Sequence, residues 1–277
     1  MQLDPALAEI LKNAVAVARP TAASAQRALQ LMDLTSLNDS DTAESVTAFS
    51  RKATTPAGNV AAVCVYSRFV PAARAVLEGT GVRIATVVNF PGGFSSPDDV
   101  AAETRAALDA GADEIDVVVP VKAALAGDMA AVTDVLTACK EACGTAPMKV
   151  ILESGLFADA ALLKKLSQTA CTAGADFLKT STGKVPQGAS LEAAAVMLSV
   201  IADGNLGVGF KASGGVASNE QAAQYLALAD TLLGPAWAGP ATFRFGASRL
   251  LDALLADLGQ GGAGSNGTVT KDTSTVY

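Results

Sequence analysis

An α/β protein of the (β/α)8 TIM-barrel class, with a helical segment before the barrel and a flexible tail after it, is the fold this sequence predicts. Three observations carry the prediction. Short apolar runs rich in Val, Ile and Phe alternate with longer Ala-rich stretches of helical period, the pattern of buried parallel strands covered by helices. Eight such runs occur at near-regular intervals, which suggests closure. The length of 277 residues suits one barrel.

Residues 1–30 read as one or two helices interrupted at Pro20, placed to plug the N-terminal face of the barrel or to stay partly mobile. The strands are then expected to begin near Leu31, Ala61, Arg83, Glu114, Lys149, Asp176, Gly207 and Thr242. These starts fall roughly 23 to 35 residues apart, room for a strand, a loop, a helix and a return loop. Helix signals lie between them. Ser96-Pro97-Asp98-Asp99 is suited to a helix N-terminus and Gly111 to its end; Ser218 with Glu220, and Ser248 before Leu250, mark two more starts, the last helix ending at Gly259. After Gly259 the Gly, Ser and Thr content cannot support a core. The expected organisation is a helical extension over 1–26, the barrel over 27–258 and a flexible tail over 259–277.

Composition excludes several functions. Twenty Lys and Arg against 27 Asp and Glu give a net charge of −7 and a pI near 4.7, so the chain lacks the basic footprint that nucleic acid requires. No histidine is present, which rules out a Ser-His-Asp triad, a Cys-His dyad and a His-ligated metal site. Half the residues are hydrophobic and the mean hydropathy is +0.35, yet no apolar run approaches the roughly 18 residues of a membrane span. No secretory signal is visible, so a cytoplasmic protein is expected. Cys64, Cys139, Cys143 and Cys171 lack paired metal or redox spacing and read as reduced thiols.

The candidate chemistry lies in charges embedded in apolar runs. Lys179 follows Phe177-Leu178, and strand alternation puts it on one face with Phe177 and Ser181. Burying an ammonium is costly, and the usual escape is a lowered pKa that yields a nucleophilic amine. Alternatively, Lys179 reaches solvent from the strand end. Lys211 after Val208-Gly209-Phe210 repeats the pattern on the next strand. Two ammonium groups at adjacent strand ends disfavour each other's protons, a route to an activated Schiff-base lysine. Asp116 in EIDVVVP needs a cation or donor and is placed to pass protons. Asp33 in LMDLT and Glu153 in VILESG are further acids, read either as site members or as supports of a polar interior. An anion is expected at the loops after strands six to eight, at Gly183 and Lys184, at Gly214 and Gly215, and at Gly246 and Ser248.

The segments LMDLTSLND, RIATVVNFPGG, AETRAALDAGADEIDVVVP, GADFLKTSTGK, GVGFKASGGV and FRFGASRLL, spread over residues 27–258, resemble the class I bacterial deoxyribose-phosphate aldolases. The resemblance implies that Lys179 of KTSTGK forms the Schiff base, that Lys211 perturbs its pKa and relays protons, and that Asp116 donates and accepts protons with Asp33 in the same network. It implies a phosphate pocket at Gly183, Lys184, Gly214, Gly215, Gly246 and Ser248, and a C-terminal tyrosine, here Tyr277, that assists proton transfer. It further implies no metal or other cofactor, phosphosugar and aldehyde substrates, no nucleic-acid or membrane partner, and a possible homodimer. The chain departs from the better-known members at Ala217, where they carry arginine, and at Arg249, where they often carry serine. The expected reaction is reversible cleavage of 2-deoxy-D-ribose 5-phosphate in deoxynucleoside catabolism. Rival readings are a Schiff-base aldolase for another phosphosugar and a non-catalytic phosphosugar-binding barrel.

Overall fold

A computed structural model of the chain describes residues 1–204 and 207–260. Eight parallel strands close into a barrel: β1 Met32–Ser36, β2 Ala62–Val65, β3 Arg83–Val88, β4 Glu114–Val118, β5 Met148–Ile151, β6 Phe177–Lys179, β7 Gly209–Ser213 and β8 Phe243–Ala247. Each strand pairs with its sequence neighbours, and β8 pairs with β1 through Asp33 opposite Gly246. Every start lies within two residues of its predicted position. A two-stranded hairpin, Thr54–Thr55 with Gly58–Asn59, stands outside the barrel.

Strand alternation sorts the side chains into two compartments. Met32 and Leu34, Val63 and Val65, Ile115 and Val117, and Phe243 and Phe245 are buried in one continuous apolar core with the helices. The Phe245 ring makes a T-shaped contact with Tyr225 of helix Asn219–Leu233, the ring planes 77° apart. The opposite parity faces the barrel axis and mixes charges with small and apolar side chains: Asp33, Asp116, Lys149, Lys179, Lys211 and Arg244 lie there with Cys64, Ala85, Gly246, Val87, Val118, Ile151 and Phe177, all buried. Barrels are commonly filled by branched apolar side chains; this one carries a stack of charges. Gly209 shows how tightly the interior is filled, because a Cβ there would lie 2.5 Å from the Phe177 ring.

The helices start where their caps require. Ser96 accepts a hydrogen bond from the Asp99 amide with Pro97 in the first turn, and Ser218 accepts from the Gln221 amide. Gly111, at φ 100°, closes the helix Pro97–Asp109 in a conformation suited to glycine. The helix after β8, Leu250–Asp257, has Arg249 at its N-cap and no side-chain cap, so Ser248 precedes the helix without capping it.

The N-terminal segment does not plug the barrel. Helix α1, Pro5–Val17, packs against the outer helices Leu191–Gly204 and Asn219–Leu233, with Leu7 and Ala14 buried. Helix α2, Ala22–Gln30, runs through the expected boundary at residue 26 and leads into β1. A two-pronged ion pair from Arg27 to Asp230, both contacts 2.7 Å, ties α2 to the barrel wall. The expected tail lies outside the described residues, apart from its first two.

Candidate active site

The charged interior is one connected cluster. Asp116, at the centre of β4, receives the amine of Lys179 at 2.7 Å and that of Lys211 at 2.7 Å on Oδ2, and that of Lys149 at 2.8 Å on Oδ1. Lys211 also reaches Asp33 Oδ2 at 2.5 Å, and Arg244 Nη1 reaches Asp33 Oδ1 at 2.5 Å. Glu114, two residues before Asp116 and on the same face, lies 2.7 Å from Lys149 and takes two guanidinium contacts from Arg244, at 3.1 and 2.9 Å. Strand register builds this proximity: Lys179 is opposite Lys211, Lys211 opposite Arg244, and Asp116 opposite Lys149.

Water barely reaches these groups. The seven side chains of the cluster are each at most 4 % exposed. Isolated charges would be untenable there, and the pairing decides which stay ionised. Burial opposes the charge on Asp116, but Lys149, Lys179 and Lys211 overcome it and hold the carboxyl well below its usual range. Asp33 is likewise held low, burial being outweighed by Lys211, Arg244 and Lys149. Burial also works against the ammonium groups of Lys211 and Lys149, yet Asp116 with Asp33, and Asp116 with Glu114, raise both above an ordinary lysine. Lys179 goes the other way. Burial pushes its amine down, Asp116 opposes, and the charge of Lys211 adds to the fall.

Both causes expected for Lys179 act in the folded chain, burial as the larger one and the charge of Lys211 as the lesser. A small apolar cluster of Leu37, Cys64, Ala85 and Val87, backed by Tyr66 and Phe90, sits inside the barrel apart from the main core. Burial pushes the Cys64 thiol up, and the charges of Asp116, Lys211 and Lys179 are felt there. The amine therefore has an apolar wall nearby. Glu153, just after β5, is outside the ionic cluster. It adopts left-handed φ 52°, uncommon for a non-glycine residue, and accepts from the amide and hydroxyl of Thr182 at 3.2 and 2.5 Å. Burial pushes its carboxyl up.

The residues singled out for an anion gather at the C-terminal ends of β6, β7 and β8. Gly183, Gly214 and Gly215 have φ of 75°, 89° and 101°. The loop after β6 rests on the loop after β7: the Ala189 amide donates to the Gly214 carbonyl at 2.8 Å, and a Cβ on Gly188 would lie 2.2 Å from that same oxygen. Lys184 donates to the Leu37 carbonyl at 2.6 Å. Gly246 has a packing duty, since a Cβ there would lie 2.9 Å from Cε of Lys211. Ser248 is half-buried and Arg249 exposed, while the Ala217 amide donates to Gln221. Tyr277 lies outside the described residues.

Three members of the ionic cluster were not singled out in the sequence as site residues. Lys149, Glu114 and Arg244 complete the ionic cluster, and Ser181 is buried with its hydroxyl unpartnered, in a loop where a Cβ on Gly214 would approach it at 3.4 Å. The signal for the first three was present: each is a charge inside or at the start of an apolar strand, the same anomaly that marks Lys179.

Residues 27–254 match the pattern of the DeoC/LacD family aldolases. Among solved structures, a protein from Coccidioides immitis assigned as a deoxyribose-phosphate aldolase is 26% identical, with 92% of this chain and 98% of that one covered at a TM-score of 0.74. A tetrameric deoxyribose phosphate aldolase from Aeropyrum pernix is 26% identical over 89% of this chain and 96% of that one, TM-score 0.69. A Toxoplasma gondii protein with the same assignment shares the fold at a TM-score of 0.80 and 24% identity, with 89% of this chain and 97% of that one covered. With a family match over most of its length and a buried amine among paired carboxylates, this chain belongs to the DeoC/LacD family of aldolases.

Proposed function

We propose that the protein is a Schiff-base deoxyribose-phosphate aldolase that cleaves 2-deoxy-D-ribose 5-phosphate to D-glyceraldehyde 3-phosphate and acetaldehyde, and that Lys179 is its nucleophile. The observation that carries this reading is a buried lysine amine, pushed toward its neutral form, 2.7 Å from a carboxylate shared with two other lysines.

The chemistry follows from that placement. The Lys179 lone pair adds to the aldehyde carbon, and loss of water leaves a protonated imine. The C3 hydroxyl gives up its proton to Asp116, directly or through a water, as the bond between C2 and C3 breaks. The bond's electron pair moves into the imine system as an enamine, and C3 becomes the aldehyde of glyceraldehyde 3-phosphate. The enamine then takes a proton at C2, and water hydrolyses the resulting imine to acetaldehyde and free amine. The imine nitrogen is the electron sink, so this route needs neither metal nor cofactor. Asp116, already bonded to Lys179, is suited to hold the iminium N–H and to exchange protons with Lys211.

Phosphate recognition is assigned to Gly183, Lys184, Gly214, Gly215, Gly246 and Ser248. The loops after β7 and β8 are where barrels commonly bind phosphate, and the glycine conformations allow backbone amides to approach an anion. Asp33 belongs to the supporting network, and Tyr277 is retained as a proton-transfer candidate. Among the described residues no helix is long and apolar enough to cross a membrane; a cytoplasmic homodimer is part of the proposal, and sedimentation of the purified protein tests the dimer.

The test is turnover of deoxyribose 5-phosphate in the presence of a chelator, with glyceraldehyde 3-phosphate measured by a coupled dehydrogenase. Release of both products is expected. Turnover of a different phosphosugar instead would move the activity to that substrate, and binding without cleavage would leave a phosphosugar-binding barrel.

A further inference from the structure

We propose that Glu114 and Arg244, at the floor of the barrel, are positioning residues for Lys179: they set how many charges the sealed interior holds, and so decide that one of its cations is left without a proton. The inference rests on the Schiff-base reading and deepens it. The interior holds three carboxylates, Asp33, Glu114 and Asp116, and four basic groups, Lys149, Lys179, Lys211 and Arg244. With every group ionised the cluster carries one uncompensated positive charge out of contact with water, a costly state. Loss of one proton balances it.

Geometry identifies the donor of that proton. Arg244 keeps its charge in proteins. Lys149 faces Glu114 at 2.7 Å, Asp116 at 2.8 Å and Asp33 at 3.8 Å. Lys211 faces Asp33 at 2.5 Å and Asp116 at 2.7 Å. Lys179 faces Asp116 alone among the described residues. It is the least compensated cation, and it lies in the outermost part of the cluster at the strand end. Arg244 and Glu114 touch neither Lys179 nor Asp116, but two paths lead from them to Asp116: through Lys149, and through Asp33 and Lys211.

Three further titratable groups lie beside the cluster. Arg83, from the start of β3, approaches Glu114 at 3.6 Å but its side chain is 55% exposed, so water screens it. Cys64 of β2 is pushed up by burial, and Glu153 after β5 accepts from the amide and hydroxyl of Thr182 at 3.2 and 2.5 Å and forms no ion pair with the cluster among the described residues. A cavity of about 600 Å³ at the N-terminal end is lined by Arg83, Glu114 and Arg244, yet the side chains of Glu114 and Arg244 are only 2 and 4 % exposed.

The test is the pH dependence of kcat/KM in Arg244→Gln, Glu114→Gln and the double variant. Removing the cation alone leaves equal numbers of acids and bases, so Lys179 keeps its proton longer, and the acidic limb is expected to move to higher pH by about one unit. Removing the carboxylate alone is expected to move it to lower pH by about as much. The double variant restores the single excess basic group and returns the limb toward the wild-type position, and Arg244→Lys leaves it there. A purely structural role lowers activity at all pH values without opposite shifts; that result, or shifts of one sign, overturns the proposal. In the wild-type protein, NMR of nitrogen-15 lysine side chains at mildly alkaline pH is expected to show ammonium signals for Lys149 and Lys211 and a free amine for Lys179, so the claim does not depend on variants that fold poorly. A protonated Lys179, or a free amine at another position, also refutes it. Borohydride trapping of acetaldehyde separates the two levels: trapping at Lys179 without limb shifts sinks the charge count alone, whereas no adduct in the wild type sinks the Schiff-base reading and this inference with it.

Discussion

Replacing Lys211 by leucine probes the electrostatics of the site most sharply. Lys179 and Lys211 both lie 2.7 Å from the same oxygen of Asp116, so their charges are separated by no more than twice that distance. At about 5 Å and an effective dielectric constant near 20, two unit charges repel by about 3 kcal/mol, which corresponds to about two pH units. Lys211 also occupies Asp33 and Asp116, and its loss leaves both carboxylates freer to stabilise the Lys179 ammonium, a shift of the same sign. Lys211→Leu is therefore expected to move the acidic limb of kcat/KM upward by about two units and to lower kcat/KM at neutral pH by about 100-fold. The cluster keeps three carboxylates and three cations, and the circular-dichroism spectrum of the variant checks that it folds. The assay is the pH profile of deoxyribose 5-phosphate cleavage beside that of Lys211→Arg, which retains the charge. An unmoved limb in Lys211→Leu would refute the reasoning, because it would mean that the two amines do not sense each other.

Three further outcomes follow from the geometry. Gly246→Ala places a Cβ 2.8 Å from Cβ of Ser213 and 2.9 Å from Cε of Lys211; it is expected to cost about 1–3 kcal/mol of stability and to lower kcat, measured by denaturant unfolding and steady-state kinetics. Gly188→Ala sets a methyl against the Gly214 carbonyl, separates the loops after β6 and β7, and is expected to raise KM for the phosphorylated substrate more than for unphosphorylated deoxyribose. In acid, Asp33, Glu114 and Asp116 have folded pKa values below their unfolded ones, so the stability they contribute is present above about pH 4 and is lost as pH falls through their lower folded values. Equilibrium unfolding across that range should show the fall, and a flat profile would contradict the ionised pairing.

Much of this arrangement was readable before folding was considered. The strand starts are legible because apolar runs such as RIATVVNF and EIDVVVP are flanked by glycine, proline and acids, local signals of strand ends. Lys179, Lys211 and Asp116 stand out because a charge within such a run contradicts the burial its neighbours imply. Lys149 and Arg244 carry the same contradiction less visibly: Lys149 sits next to the start of β5 and Arg244 next to that of β8, where a long side chain ordinarily snorkels to water. Their burial arises only when β8 closes onto β1 and the interior is sealed, a property of eight strands together. Glu114 opens β4 and was hidden for the same reason. The course of α1 was equally nonlocal: its amphipathic pattern shows that one face is buried, while the outer helices it packs against are nearly 200 residues away in sequence.

Borohydride reduction with acetaldehyde, followed by peptide mass mapping, tests the central claim most directly. An ethyl group on Lys179, with Lys149 and Lys211 unmodified, is the result predicted by a neutral amine at that one position. An unmodified Lys179 under conditions of active turnover would contradict it.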